Sequence, residues 1–297
     1  MQFRARLGAD LGVHIPAAMI GPETSLASLR AQVRQSKAAR ATEDAPVASV
    51  RLTRLRSSDT ELHHVWIHPA GGGIEHYRQL AALLPHDCTA VQCIAVAADG
   101  QPDSVESLAA RYTALLAEHN IRAPFVVGGW SFGGLVAYEM ARQQSHSLPL
   151  VILIDSYVFG DAAAMRPVAD RALDIRAKQE FLAQYSVHTD TRGLPDDEVE
   201  RLYDVLRSNL IAAGGYRPLP YDGAVVSIRA SRHAGDPDAS WRTLVRNFHC
   251  EAVIANHFSI MESPALGSVA DLVRAYLERV RTTFGYDSPD RMLARMA

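Results

Sequence analysis

A chain of 297 residues that is 48% hydrophobic and 21% charged, with a formal net charge of −3, has room for one large α/β domain plus an appendage. That charge balance gives no basis for binding nucleic acid or anionic membranes, and no apolar run reaches the ~18 residues of a membrane-spanning helix. The opening Met1-Gln-Phe-Arg-Ala-Arg6 lacks the apolar core of a signal peptide, and three cysteines (Cys88, Cys93, Cys250) without metal-like spacing read as reduced, buried thiols of a cytoplasmic protein.

Residues 1–35 have helical character in three pieces, Phe3–Leu11, Pro16–Met19 and Ser25–Val33. Leu26, Leu29 and Val33 form a stripe on the last piece, with Thr24 or Ser25 as its cap. Pieces so short bury no core of their own. Residues 36–47 are polar, Ala-rich and aperiodic, and read as a linker.

A second domain is expected over 48–285, with 286–297 as a tail. Ser49–Leu55 alternates like a half-exposed edge strand, and Val65-Trp66-Ile67 is a short buried one. A glycine loop, His68-Pro-Ala-Gly-Gly-Gly73, precedes a helix over Ile74–Leu84. Strand Thr89–Val96, helix Ser104–Glu118, strand 124–128 and the apolar strand Pro149–Ile154 follow. Strands alternating with helices predict a mostly parallel α/β sheet covered on both faces. The alternation breaks over 159–220, where Val168–Tyr185 and Asp197–Ala212 are helical with no strand between, as in a helical lid insertion. Arg171, Arg176, Lys178 and Arg201 among its apolar residues give it no clear polarity. Strands Ala224–Ile228 and Glu251–Ala255 and a last helix, Val269–Val280, complete the pattern.

Between strand 124–128 and helical Leu135–Met140 lies Gly129-Trp-Ser-Phe-Gly133, a Gly-x-Ser-x-Gly at a strand-to-helix turn. Such a turn strains the serine and lifts its hydroxyl above the sheet, and the glycines remove Cβ atoms that would collide with neighbouring backbone. The following helix points free N–H groups at the same place. Ser131 is therefore the candidate nucleophile. Trp130 beside it either crowds the substrate or packs beneath the turn.

A serine hydroxyl needs a base. Of twelve histidines, His257 follows the last apolar strand in a loop leaving the sheet's end, which suits the chain order serine, acid, histidine. His68 and His76 lie by the glycine loop and are candidates to line the cleft, while His63, His64, His119 and His146 sit in polar surroundings and read as surface residues. The acid that orients the base is expected at Asp155, where a buried strand ends and an unpaired carboxylate would be costly. Its rivals are Asp236 and Asp238 in the polar, flexible loop after strand 224–228. The oxyanion needs two N–H donors, expected at Phe132 and, from the glycine loop, Ala70.

On four segments the chain resembles the α/β-hydrolase thioesterase domains that terminate polyketide and nonribosomal peptide synthetases. They are His68-Pro-Ala-Gly-Gly72, Gly128-Gly-Trp-Ser-Phe-Gly-Gly134, Leu150-Val-Ile-Leu-Ile-Asp-Ser156 and Asn256-His-Phe-Ser-Ile-Met261, and the likeness spans residues 50–283. The resemblance implies acyl transfer from a phosphopantetheine thioester on a carrier domain to Ser131, then release to water or to an internal hydroxyl or amine. It implies no bound cofactor and no metal, favours Asp155 as the acid, and leads one to expect a lid of two or more helices. Phe3–Pro16 and Pro22–Leu29 look like the second half of an acyl or peptidyl carrier domain. Ser25 and Ser28 belong to its last-helix pattern rather than to a pantetheine site, so the arm-bearing serine of such a carrier is expected before residue 1. These expectations describe a releasing thioesterase at a synthetase's end. The alternatives are a free-standing editing thioesterase, a small-molecule esterase with the same triad, and a non-catalytic binding module.

Overall fold

The computed structural model describes residues 50–58, 62–96, 103–122, 125–144, 148–158, 196–232, 236 and 238–284. The readings of residues 1–47 as carrier fragment and linker, the first lid helix with Arg171, Arg176 and Lys178, His146 and the tail at 286–297 lie outside them.

Among the described residues seven strands form one sheet in the order β1-β3-β2-β4-β5-β6-β7. They are β1 Val50–Arg56, β2 His63–Ile67, β3 Asp87–Cys93, β4 Val126–Trp130, β5 Val151–Ile154, β6 Tyr221–Ala230 and β7 Val245–Val253. Of these strands only the edge strand β1 runs antiparallel, against β3, and the other described pairings are parallel. Among the described residues six helices accompany them: α1 Glu75–Leu83, α2 Val105–Glu118, α3 Phe132–Gln143, α4 Asp196–Gly215, α5 Ala239–Leu244 and α6 Ala265–Phe284. This is an α/β-hydrolase architecture.

Side-chain alternation along each strand sorts the core into two layers. In β5, Val151 and Leu153 join Val65, Ile67 and Val127 beneath Leu108 and Tyr112 of α2 and Leu135 and Val136 of α3. Ile152 and Ile154 face the other way, with Trp66, Val226 and Ile228 against Tyr77 and Leu80 of α1 and Val273 and Leu277 of α6. A strand buried on both faces needs continuous apolar sequence, which Val-Ile-Leu-Ile supplies at roughly 1.5–3 kcal/mol per side chain. Helix α2 starts at a capping box in which the Ser104 and Ser107 hydroxyls each accept the other residue's amide at 3.1 Å.

Several element boundaries depart from expectation. β4 runs two residues further than strand 124–128, into the Gly-Gly-Trp of the motif, and α3 starts at Phe132 rather than after Gly134. Glycine has poor intrinsic preference for either element, so packing decides here. β7 begins at Val245, well before Glu251, and its outward residues Arg246 and Asn247 are exposed. An edge strand with polar outward positions carries little apolar signal, and the short α5 before it has none of its own. Ile254, expected inside that strand, lies beyond its end and is 81% exposed. No helix among the described residues is long and apolar enough to cross a membrane.

Candidate active site

Ser131 alone makes the turn between β4 and α3, with φ 57° and ψ −124°. That conformation costs an L-residue about 1–3 kcal/mol, so its surroundings must impose it. The Ser131 amide donates to the Ile154 carbonyl on β5 at 2.9 Å, and the Gly134 amide donates back to the Ser131 carbonyl at 3.1 Å. A Cβ on Gly133 would run into the Ile67 carbonyl at the end of β2, so only glycine lets α3 start this close to the sheet.

Asp155 follows the last residue of the adjacent strand and also has positive φ, 46°. Its amide donates to the Ile228 carbonyl at 2.9 Å, which holds it between β5 and β6. Its carboxylate is fully buried. One oxygen, Oδ1, accepts the Ala230 amide at 2.7 Å and the other, Oδ2, meets His257 Nδ1 at 2.6 Å. Burial opposes the charge, yet hydrogen bonds from His257, Tyr157 and Ala230 outweigh it and bring the carboxyl down to about 2.

His257 leaves the end of β7 in a turn built by its neighbours. Asn256 Oδ1 accepts the amides of Phe258 and Ser259 at 3.1 and 2.9 Å, and Ser259 Oγ accepts the Asn256 amide at 3.0 Å. Trp130 Nε1 donates to the His257 carbonyl at 3.1 Å. The indole is 5% exposed, with its ring centroid 5.4 Å from that of the imidazole, so it walls the histidine in. With Nδ1 donating to a carboxylate, Nε2 is left as the acceptor, 3.1 Å from Ser131 Oγ. The structure thus joins Ser131, His257 and Asp155 in one hydrogen-bonded line, the geometry by which a hydroxyl passes its proton to an imidazole held in one tautomer.

Ala70 lies in the turn after β2, and the amides of Ala70 and Phe132 donate to no backbone carbonyl among the described residues. The turn is tied down by Gly72, whose amide donates to Pro69 O at 2.9 Å and whose carbonyl accepts from Cys93 N at 3.1 Å. Gly72 has φ 81° and a Cβ there would meet the Cys93 carbonyl.

His68 does not line a cleft. It is fully buried, with Nδ1 donating to Pro69 O at 2.8 Å and Nε2 accepting from Tyr112 Oη at 2.7 Å. Burial holds its pKa down at about 4, so it is a neutral brace under the turn. His76 packs edge-on to Trp130. His64, read from its sequence as a surface residue, is fully buried and accepts from Trp66 Nε1 at 2.7 Å. Burial brings it down to about 3. His63 is partly buried, whereas His119 is exposed as expected. Polar neighbours in sequence mislead here because strand alternation turns every second residue inward.

Asp238 is not in a solvated loop either. It is 1% exposed, accepts from Ser227 Oγ at 2.7 Å and Cys250 Sγ at 2.8 Å, and pairs with Arg229 at 3.3 Å. Asp236 is exposed and pairs with Arg242. Neither forms a hydrogen bond with His257. Cys88 and Cys93 are buried free thiols, and Cys250 is half-buried. Among the described residues no cluster suited to a metal is found.

Sequence reasoning missed several residues around this site, Tyr157 beside Asp155 among them. Tyr77 on α1 donates to Ile67 O at 2.7 Å and accepts from Trp130 N at 2.8 Å, bridging β2 and β4 beneath the turn. Trp241 on α5 donates to Ser156 O at 2.8 Å. Asn209 on α4 donates to Ala70 O at 2.7 Å. A signal existed for Asn209, an amide among the apolar positions of a helical stripe.

A protein-family model for the thioesterase domain matches residues 63–277. The chain is 37% identical over 229 residues to thioesterase frbE of Dothideomycetidae sp. (strain 11243), an alignment covering 69% of this chain and 85% of that one. It is 26% identical over 215 residues to the non-reducing polyketide synthase aoiG of Aspergillus oryzae (strain ATCC 42149 / RIB 40), covering 59% of this chain and only 10% of the synthase's length. Among solved structures, a four-domain nonribosomal peptide synthetase bound to AMP and glycine superposes with a TM-score of 0.66 at 22% identity, covering 93% of this chain and 23% of that one.

Proposed function

The chain belongs to the thioesterase domain family, and from that premise we propose that it releases a polyketide or peptide chain from the phosphopantetheine thioester of a carrier domain through an acyl-Ser131 intermediate. The observation that carries the mechanism is the continuous line from Ser131 Oγ to His257 Nε2 at 3.1 Å and from Nδ1 to Asp155 Oδ2 at 2.6 Å.

Ser131 Oγ attacks the thioester carbonyl carbon as its proton passes to His257 Nε2. The imidazolium so formed is stabilised by Asp155, whose carboxylate stays ionised. The new oxyanion is received by the amides of Phe132 and Ala70. Collapse of the tetrahedral adduct breaks the C–S bond, and His257 returns its proton to the departing pantetheine thiolate. The acyl-enzyme then meets water, or a hydroxyl or amine of its own chain, deprotonated by the same Nε2. Attack on the ester and expulsion of Ser131 regenerate the starting state.

The matches to synthases and to a synthetase support an upstream acyl or peptidyl carrier domain as the partner. A second reading, a free-standing thioesterase, is favoured by the 85% coverage of frbE. A binding module is opposed by the complete hydrogen-bonded line.

The test is intact-protein mass spectrometry after mixing with an acyl N-acetylcysteamine thioester. Wild type should gain the acyl mass and Ser131→Ala should not. Absence of both acylation and product across several chain lengths would overturn the mechanism. Comparing turnover of the same acyl group on a carrier protein and on N-acetylcysteamine separates release from a synthetase from free-standing hydrolysis.

A further inference from the structure

Helix α4 lies within the 159–220 insertion, yet it reaches into the turn that carries Ala70. Its buried residues are Tyr203, Val205, Leu206, Asn209, Ala212 and Ala213, at helical spacing, and Asn209 is the one amide among them. Asn209 is 3% exposed and spends its Nδ2 on the Ala70 carbonyl at 2.7 Å. One turn before it, Val205 packs over Gly72, near enough that a Cβ on Gly72 would clash with it. Burying an amide in an apolar stripe is costly unless it is hydrogen-bonded. The neighbouring Val205, Leu206, Ala212 and Ala213 offer an amide no polar partner, so its partner is the Ala70 carbonyl.

We propose that Asn209 is a positioning residue that clamps the Pro69–Gly72 turn, so that the Ala70 amide is aimed at the developing oxyanion only when α4 is seated on the turn. The inference rests on the thioesterase reading above and adds to it a coupling between the inserted helix and the oxyanion hole. The Ala70 carbonyl belongs to the peptide unit next to the one bearing the Ala70 N–H, so fixing the carbonyl limits rotation of that amide. A donor that serves the transition state must be held before the reaction begins, or its reorganisation is added to the barrier.

The test uses Asn209→Ala, Asn209→Leu and the near-isosteric Asn209→Asp, which keeps the shape but turns an oxygen toward the Ala70 carbonyl. Leu202→Ala, a half-buried position on the same helix that donates to nothing in the turn, serves as control for loss of helix stability. We expect kcat to fall about 10- to 100-fold in all three Asn209 variants with KM within about twofold. Affinity for an alkylboronic acid, which forms a tetrahedral adduct on the serine, should fall in the same proportion. Leu202→Ala should lower Tm without that fall in kcat. Hydrogen exchange at residues 68–73 should quicken in the Asn209 variants, whether or not any substrate turns over. Unchanged exchange there, or kcat within twofold of wild type, would overturn the clamp. A loss of kcat in Leu202→Ala matching that of Asn209→Ala would overturn it too, since helix stability alone would then explain both. If wild type is never acylated, the thioesterase mechanism fails, and the exchange measurement by itself still decides whether Asn209 holds the turn.

Discussion

Asp155 and His257, 102 residues apart in the chain, meet at 2.6 Å with the carboxylate fully buried and its second oxygen held by the Ala230 amide. A buried charge with three donors is both a stable acceptor and a fixed one, so the imidazole is held in a single tautomer.

Replacing Asp155 by Asn keeps the shape but removes the charge and offers Nδ1 a donor half the time. We expect kcat to fall by about 10³–10⁴ with KM little changed. Asp238→Asn should leave kcat within about threefold and lower Tm instead, because that carboxylate serves Ser227, Cys250 and Arg229. A kcat loss larger in Asp238→Asn would assign the acid to the wrong residue.

Ser131 holds φ 57° and ψ −124°, which glycine adopts freely. Ser131→Gly should therefore unfold at a higher temperature than Ser131→Ala, both being inactive. The relief of about 1–3 kcal/mol exceeds the roughly 0.5–1 kcal/mol that glycine's extra unfolded-state freedom costs. Thermal melts of the two variants check this, and a lower Tm for Ser131→Gly than for Ser131→Ala would show that the turn is unstrained.

His64 and His68 are buried with folded-state values lowered to about 3 and about 4 from 6.5. Above 6.5 both are neutral folded or unfolded and contribute no pH dependence. As pH falls below 6.5 the unfolded chain takes up protons that the folded one refuses, so stability drops toward pH 4, by up to ~1.4 kcal/mol per unit for each. Asp155 acts in a separate window, its contribution being present above 3.8 and lost as pH falls toward 2. Urea unfolding at pH 7.5 and pH 5 should differ by at least ~2 kcal/mol; a flat profile would mean that these histidines charge without unfolding.

The Tyr77 hydroxyl serves a buried carbonyl and a buried amide at once. Tyr77→Phe leaves both unsatisfied and should cost about 2–4 kcal/mol in chemical denaturation. A loss under ~0.5 kcal/mol would show that water replaces the hydroxyl.

Much of this architecture is legible in the sequence. Strand-and-helix alternation and the run Leu150–Ile154 specify a parallel sheet, because a strand covered on both faces has to be apolar throughout. Gly-x-Ser-x-Gly at a strand-to-helix junction announces Ser131, because only glycine allows that close approach of α3 to β2. Where local preference and packing disagree, the local pattern misleads. Gly128 and Gly129 are poor strand formers and Gly133 and Gly134 poor helix formers, yet β4 and α3 take them in. The pairs His63–His64 and Asp236–Asp238 look alike in sequence, and only one residue of each is buried outright.

Local patterns in the chain mark which residues are chemically able to act, since a nucleophile's turn, a strand's apolar run and a histidine's place after the last strand can each be read within a few residues. Which of them meet depends on packing. Hydrogen bonds spanning 126, 102 and 139 residues join Ser131 to His257, His257 to Asp155 and Asn209 to Ala70. No local pattern encodes such partners, because each bond depends on where separate strands and helices end once the core has packed.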